Sequence, residues 1–415
     1  MSEKILEGSR AVAEAVNLCK PDVVPAYPIT PQTHIVEDLA QFKADGKADF
    51  EYVRAESEFA AASIVLGASA AGTRVYTATS SQGLLLMAEV IYNIAGMRLP
   101  VVLTCANRAV SAPINIWNDH QDAMAVRDAG WIMLFGENVQ EIVDMHIMAF
   151  KIAETAKLPV MVNMDGFILT HTYEPAEIPS ANFVKRFLGA YKPLKGQFLD
   201  VNNPCTLGAF ASPADYQGIR EELQSDLVES GEVINKIYKE FQILNFKFQK
   251  KSKYQISNIK YSTSPQSPIR TAAGYDNGLI EYAGDKNAEV VIVAMGSVVG
   301  TIKHTVQKMC SLGNMPHTPL KRGTVGILKI KTFRPFPSEE VAKVLKNANY
   351  VAVLEKAISL GNEGILAGEI KQALYGTGIK VKSYINGLGG RDITVDNVKF
   401  VIKDVCRKDE KVMFL

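Results

Sequence analysis

The stretch RVYTATSSQGLLLM, residues 74–87, changes character twice within a few positions. It opens apolar and β-branched, turns small and polar at Ala78-Thr79-Ser80-Ser81-Gln82-Gly83, and resumes with apolar residues at helical spacing over Leu84–Ala95. A strand running through a short polar turn into a helix is one β-α unit, and a strand apolar almost throughout reads as buried on both faces of a parallel sheet. The same unit recurs on either side. Strands are expected at Val23–Tyr27, Phe50–Arg54, Arg74–Ala78, Val101–Cys105 and Val160–Met164, with helices at Val36–Phe42, Phe59–Ala71 and Val139–Ala156 between them. Small residues crowd Ala60–Gly72, so that helix can bring its backbone close to a neighbour. The pattern predicts an α/β fold built on a doubly wound parallel sheet.

Beyond residue 172 the pattern is broken by Pro175, Pro179, Pro193, Pro204 and Pro213, after which Glu221–Phe248 reads as one helix. The tract from Lys247 to Lys260 is basic without a helical charge stripe, which suits a solvated face, and STSPQSP follows at 262–268. A second, smaller β-α series starts with Glu289–Ala294 and continues through Thr324–Ile330, Tyr350–Leu354 and Ile379–Tyr384. Gly296-Ser297 opens one helix of this series, and others are expected near 338–346 and 361–374. The expected division is a domain over 1–250, a linker over 251–286 and a domain over 287–415.

With 415 residues, 47% of them apolar, the chain can bury a core in each domain. Forty-five Lys and Arg against 44 Asp and Glu leave a net charge of +1, which argues against a nucleic-acid or membrane-surface partner. The cysteines at 19, 105, 205, 310 and 406 show neither cluster nor zinc-finger spacing, so no metal site on this chain is expected. No apolar leader or span is evident, and a cytoplasmic protein with free thiols is the expectation. There is no phosphate-binding GxxxxGK[ST], no GxSxG and no HExxH, and Gly387-Leu388-Gly389-Gly390 leads into no convincing helix and reads as a turn.

In doubly wound sheets the chemistry sits beyond the carboxyl ends of the strands. Four polar segments occupy such places: Tyr27–Pro31, Arg54–Glu58, Ala78–Gly83 and Ala106–Arg108. Brought together they offer a carboxylate, hydroxyls, an amide and a guanidinium. Each also has a plain structural reading. Thr30-Pro31 fits an N-cap and first helical position, and Glu58 fits a first-turn acid that complements the helix dipole. Ser80-Ser81 fits a cap, and Arg108 could pair with Asp119. Asn118-Asp119-His120-Gln121-Asp122 is rich in ligand types, but adjacent residues at a helix start face different ways, which disfavours a metal site.

Together the segments resemble a specific family. YPITP at 27–31, ESEFAAA at 56–62, TATSSQGLLLM at 77–87, ANRAVSAPINIWNDHQD at 106–122 and RDAGW at 127–131 resemble the alpha subunit of pyruvate:ferredoxin oxidoreductase. VNMDGF at 162–167, EVVIVAMGS at 289–297 and KTFRPFP at 331–337 extend the likeness over nearly the whole chain, with only about 245–285 unlike it. The resemblance implies a pyrimidine-type thiamine diphosphate-binding domain followed by a transketolase-C-terminal-like domain. It implies CoA-dependent oxidative decarboxylation of pyruvate to acetyl-CoA and CO2, or the reverse synthesis, with electrons passing to ferredoxin. In such complexes the diphosphate and Mg2+ are held by the beta subunit, the cofactor is shared between chains, [4Fe-4S] clusters lie on the beta and delta subunits, and a gamma subunit and ferredoxin are further partners. The lack here of a GDG…N motif and of cluster cysteines fits that division.

By the same resemblance, Glu58 is the glutamate that hydrogen-bonds the aminopyrimidine ring and promotes loss of the C2 proton, a task suited to a carboxyl in a water-poor pocket. Thr30 would face the reacting carbonyl, and Arg108 would grip the substrate carboxylate, a planar anion suited to bidentate pairing. Ile29, Ser80, Ser81 and Gln82 would line the cofactor pocket. A branched-chain 2-oxoacid or 2-oxoglutarate enzyme would share most of these motifs. A lipoamide-linked dehydrogenase component, a transketolase or a non-catalytic scaffold subunit fits less well.

Overall fold

A computed structural model describes residues 3–193, 195–251, 271–311, 325–407 and 412–415. The chain begins with β1 (Glu3–Glu7) and α1 (Gly8–Cys19), followed by β2 (Val23–Ala26), α2 (Thr33–Ala44), β3 (Glu51–Arg54), α3 (Glu58–Ala70) and β4 (Tyr76–Thr79). Two short helices follow, α4 (Ser81–Leu86) and α5 (Ala88–Gly96), then β5 (Val102–Asn107), α6 (Gln121–Ala125), β6 (Ile132–Phe135), α7 (Val139–Ala156) and β7 (Val160–Asp165). Strand β8 (Tyr173–Glu177), α8 (Ala181–Leu188) and the long α9 (Pro213–Lys251) complete the first half.

The sheet order is β6-β7-β5-β4, with β2 and β3 forming a parallel pair beyond β4. A single parallel bridge from Val23 to Val75 ties that pair to the strand leading into β4. Strands β4, β5, β6 and β7 run parallel and are buried at every position, as expected where helices cover both faces. Helix starts are capped locally: the Ser57 hydroxyl accepts from the Ala60 amide at α3, and Asn138 Oδ1 from Glu141 at α7. The sequence reading of α7 coincides with the observed span. The expected helix at 84–95 is two helices meeting at Met87, and α9 extends well beyond Glu221–Phe248.

The second half contains β9 (Thr271–Asp276), β10 (Ile280–Ala283), β11 (Val290–Ala294), α10 (Val298–Ser311), β12 (Val325–Ile330) and β13 (Thr332–Arg334). It ends with α11 (Ser338–Leu345), β14 (Tyr350–Glu355), α12 (Ile365–Ala373), β15 (Lys380–Ile385), α13 (Val395–Asp404) and β16 (Met413–Phe414). Its sheet order is β16-β15-β14-β11-β12-β10-β9, parallel as far as β12 and antiparallel through β10 and β9. Strands β9 and β10 therefore lie inside the stretch expected to be a linker. Edge strands that carry Gly274 and Asp276 lack the unbroken apolar run that marks a central strand. The 262–268 run and most of the basic tract lie outside the described residues.

Strand β13, within KTFRPFP, crosses back and pairs antiparallel with β6 of the first sheet, so the two halves share a sheet edge. After Gly387–Gly390 a helix does follow, α13, set off by a capping box between Thr394 and Asn397. That helix starts five residues past Gly390, too far for the glycine-to-helix junction of a dinucleotide site.

Candidate active site

Because β2 to β5 are parallel, their carboxyl ends lie along one edge and carry all four predicted polar segments to it. Glu58 opens α3 and is 8% exposed. Gly83, in the first turn of α4, packs directly on it: a Cβ there would stand 2.8 Å from Glu58 Oε1 and 2.5 Å from Thr79 Oγ1. Thr79 Oγ1 and Gln82 Nε2 are buried and have no hydrogen-bond partner. Unpaired buried polar atoms are costly, by about 1–3 kcal/mol each, and Thr79 Oγ1 lies next to the Glu58 carboxyl across Gly83.

The loops are bound to each other by side chains that the sequence reading passed over. Gln32, fully buried, accepts from the Ile29 amide and donates to the Ala78 carbonyl at 2.9 Å, which joins the loops after β2 and β4. Helix α2 starts at Thr33 with Gln32 at its N-cap, so Thr30-Pro31 does not cap it as local grammar suggested. Ile29 is half-buried beside this link. Asp122 accepts from the amides of Ser81, Arg108 and Ala123 and from Asn107 Nδ2, and burial raises its pKa. One carboxylate thus fixes the turns after β4 and β5 together.

Ser80 and Ser81 are placed at the predicted turn, but their hydroxyls donate to the Ala106 and Ala109 carbonyls, so they hold the neighbouring loop; Gln82 keeps a free amide. Arg108 reaches Thr30 directly: Nη1 donates to the Thr30 carbonyl at 2.9 Å and Nε to the Asn115 carbonyl at 3.0 Å. No carboxylate pairs with it among the described residues, and Asp119 is instead held by the amides of Gln121 and Gly389. Burial lowers the Arg108 pKa, with Asp122 opposing. The guanidinium retains donors for an incoming anion.

The 118–122 run diverges, as expected of adjacent residues. His120 Nε2 bonds Asp165 Oδ1 at 2.7 Å, Lys356 Nζ reaches Asn118 Oδ1 at 2.8 Å and Asp165 Oδ2 at 2.7 Å, and Ile358 donates to Gln121. The bonds of Lys356 and Ile358 join the two halves of the chain. Although burial opposes it, Lys356 and His120 hold the Asp165 carboxyl far below the usual carboxylate range. Gly296, at the start of the second-half crossover, passes so close that a Cβ would lie 3.0 Å from Asp165 Oδ1.

Residues 14–239 match the family model for pyruvate flavodoxin/ferredoxin oxidoreductase, thiamine diphosphate-binding, and residues 288–398 match that for pyruvate:ferredoxin oxidoreductase core domain II. The chain belongs to the pyruvate:ferredoxin oxidoreductase family. It is 45% identical over 410 residues to pyruvate synthase subunit PorA of Methanocaldococcus jannaschii, covering 98% of this chain and 96% of that one. PorA of Methanosarcina barkeri is 45% identical, covering 96% and 92%. The ketoisovalerate oxidoreductase subunit VorA of Pyrococcus abyssi is 40% identical, covering 97% and 93%. A solved structure of 2-oxoglutarate:ferredoxin oxidoreductase from Magnetococcus marinus shares the fold with a TM-score of 0.66 at 19% identity, covering 96% of this chain and 65% of that one. For this oxidoreductase subunit, the first-half sheet is therefore the thiamine diphosphate-binding domain.

Proposed function

We propose that this chain supplies the pyrimidine side of a thiamine diphosphate site shared with a partner chain, in an enzyme that oxidatively decarboxylates pyruvate to acetyl-CoA or runs the reverse synthesis. The observation that carries this reading is the Glu58 carboxyl packed against Gly83, with Thr79 Oγ1 and Gln82 Nε2 unpaired beside it. When bound, the cofactor supplies the carbanion-stabilising centre that decarboxylation of a 2-oxoacid requires. Glu58 would hold and return a proton at its carboxyl, which is 8% exposed and packs against Gly83. Gln82 and Thr79 would offer hydrogen bonds to the pyrimidine, and Ile29 would line its pocket. Arg108 binds the substrate carboxylate and the Thr30 hydroxyl faces the reacting carbonyl.

The diphosphate and its Mg2+, the [4Fe-4S] clusters and the ferredoxin contact belong to beta, gamma and delta subunits in this proposal. The described cysteines, Cys19, Cys105, Cys205 and Cys406, are free and dispersed, which supports that division. The test is dye reduction by the assembled complex: pyruvate and CoA should reduce a viologen without any lipoamide protein. A clear preference for a branched-chain 2-oxoacid would move the enzyme to the alternative that its VorA-type relatives represent. Tight thiamine diphosphate binding and decarboxylation by the isolated chain would overturn the shared site.

A further inference from the structure

Between β5 and α6 the chain makes an excursion, Ala109–Asn118, that closes on itself where the Ala109 amide donates to the Trp117 carbonyl at 3.0 Å. Its outer side rests on the Gly387–Gly390 turn of the second half. Asn115 Nδ2 donates to the Gly389 carbonyl at 3.0 Å, the Gly389 amide donates to Asp119 Oδ2 at 3.0 Å, and the Gly390 amide donates to the Asn118 carbonyl at 2.8 Å. Its inner side is the Asn115 carbonyl, which accepts from Arg108 Nε. Asn115 Oδ1 accepts from the Trp117 amide at 2.7 Å, so both ends of the side-chain amide are committed and its orientation is fixed.

The glycines are required by this contact. Gly389 and Gly390 have φ of 59° and 83°, and a Cβ would stand 2.6 Å from Asn115 Nδ2 at the first and 2.3 Å from Trp117 Cβ at the second. Any side chain there would push the excursion, and with it the Asn115 carbonyl, away from where Arg108 needs it. An arginine fork recognises a planar anion only when its plane is set, and a long side chain keeps that setting only if its inner donors are pinned. Here two carbonyls pin it, one from Thr30 and one from Asn115.

We infer that the Gly387–Gly390 turn of the second domain, acting through Asn115, sets the plane of the Arg108 guanidinium and thereby the affinity for the substrate carboxylate. Asn115 and Gly389 are positioning residues, and the idea rests on the reading of Arg108 as the carboxylate-binding group. It gives the second domain a part in substrate recognition without contact to the substrate.

The test is a double-mutant cycle on the assembled oxidoreductase, reading the KM for pyruvate in Asn115→Ala, Arg108→Gln and the double variant, with thiamine diphosphate affinity and the melting temperature measured alongside. Asn115→Ala should raise KM about tenfold, the scale of a slightly misplaced binding group, with thiamine diphosphate affinity retained. It should add nothing once Arg108 is Gln. Gly389→Ala, pressing on the same contact from the other side, should raise KM in the same direction. Equal effects of Asn115→Ala in both backgrounds, or no effect of it where Arg108→Gln raises KM, would overturn the positioning role alone. An unchanged KM in Arg108→Gln would remove the reading of Arg108 and this inference with it.

Discussion

At the Glu58 pocket, Thr79 Oγ1 and Gln82 Nε2 lie buried with nothing to bond, whereas around Asp165 both carboxylate oxygens are met, one by His120 and the other by Lys356 and Ser297. Both places lie beyond the carboxyl ends of strands in one sheet and both bury charge. The second has a counterpart in the Lys329 ammonium, which meets Glu137, Glu141 and Glu281 at 2.7–2.9 Å where the halves join. The Asp165 region leaves one buried atom over, His120 Nδ1. A polar group inside a protein is stable when its partners are in the chain and informative when they are not. By that measure the clusters between the halves are joints, and the surroundings of Glu58 are where the proposed site would take its partners from a ligand.

The contrast makes its sharpest prediction at the joint. Lys356→Met would leave Asp165 buried and short of its cation, and breaking a buried pair from one side costs about 3–5 kcal/mol. Urea denaturation should show that loss, and a change below about 1 kcal/mol would mean that the joint relaxes and is not saturated in the sense argued. At the pocket the expectation reverses. Glu58→Gln removes no partnered group, so the melting temperature should hardly move, while hydrogen–deuterium exchange at C2 of the bound cofactor in the assembled enzyme should slow by at least ~10²-fold. An unchanged exchange rate would reduce Glu58 to a first-turn acid.

Local pattern carried the elements whose surroundings are uniform. Strands β4, β5 and β7 are buried throughout because helices cover both faces, and α7 was legible in the helical spacing of its apolar residues. What escaped was decided by distant partners. Strand β13 exists because β6 offers an edge, β10 because β12 does, and β9 because β10 does. The start of α2 slipped past Thr30-Pro31 because Gln32 is committed across to Ala78. At the candidate site, the sequence motifs pointed to Glu58, Thr30 and Arg108, whose roles stand as proposals. That the Ser80 and Ser81 hydroxyls are spent on backbone carbonyls, and that Asp122 ties two turns together, depends on contacts between loops well separated in the chain.

A third prediction asks whether the pocket's guanidinium is truly unspent. Arg108→Lys keeps the charge but loses the planar fork and the bond to at least one of the two carbonyls, so the KM for pyruvate should rise about tenfold with thiamine diphosphate affinity retained. An unchanged KM would place Arg108 with the joints, as a group satisfied within the chain.

The smallest effect tests a third kind of buried group, a titratable side chain that is satisfied only while neutral. His146 on α7 is fully buried, with Nδ1 on the Ile142 carbonyl at 2.7 Å and Nε2 against Thr104 Oγ1 at 2.6 Å, which in turn meets the Tyr76 hydroxyl. Burial, opposed by the Ile142 bond, pushes its pKa down to about 4 from the ordinary 6.5. Between those values the unfolded chain binds a proton that the folded chain refuses, so this group makes stability fall as pH falls from 6.5 toward 4. Asp144 and Glu355 act in the opposite sense, because burial raises both to about 8 and the folded chain then holds protons that the unfolded chain has released. The wild-type slope mixes these contributions, and the difference between wild type and His146→Gln isolates the histidine. That difference should shrink by about 1 kcal/mol between pH 6.5 and 5.5 in urea titrations, since one unit of pKa offset is worth about 1.4 kcal/mol. A difference independent of pH would mean that the core admits the imidazolium, with Thr104 turning its oxygen to accept from it.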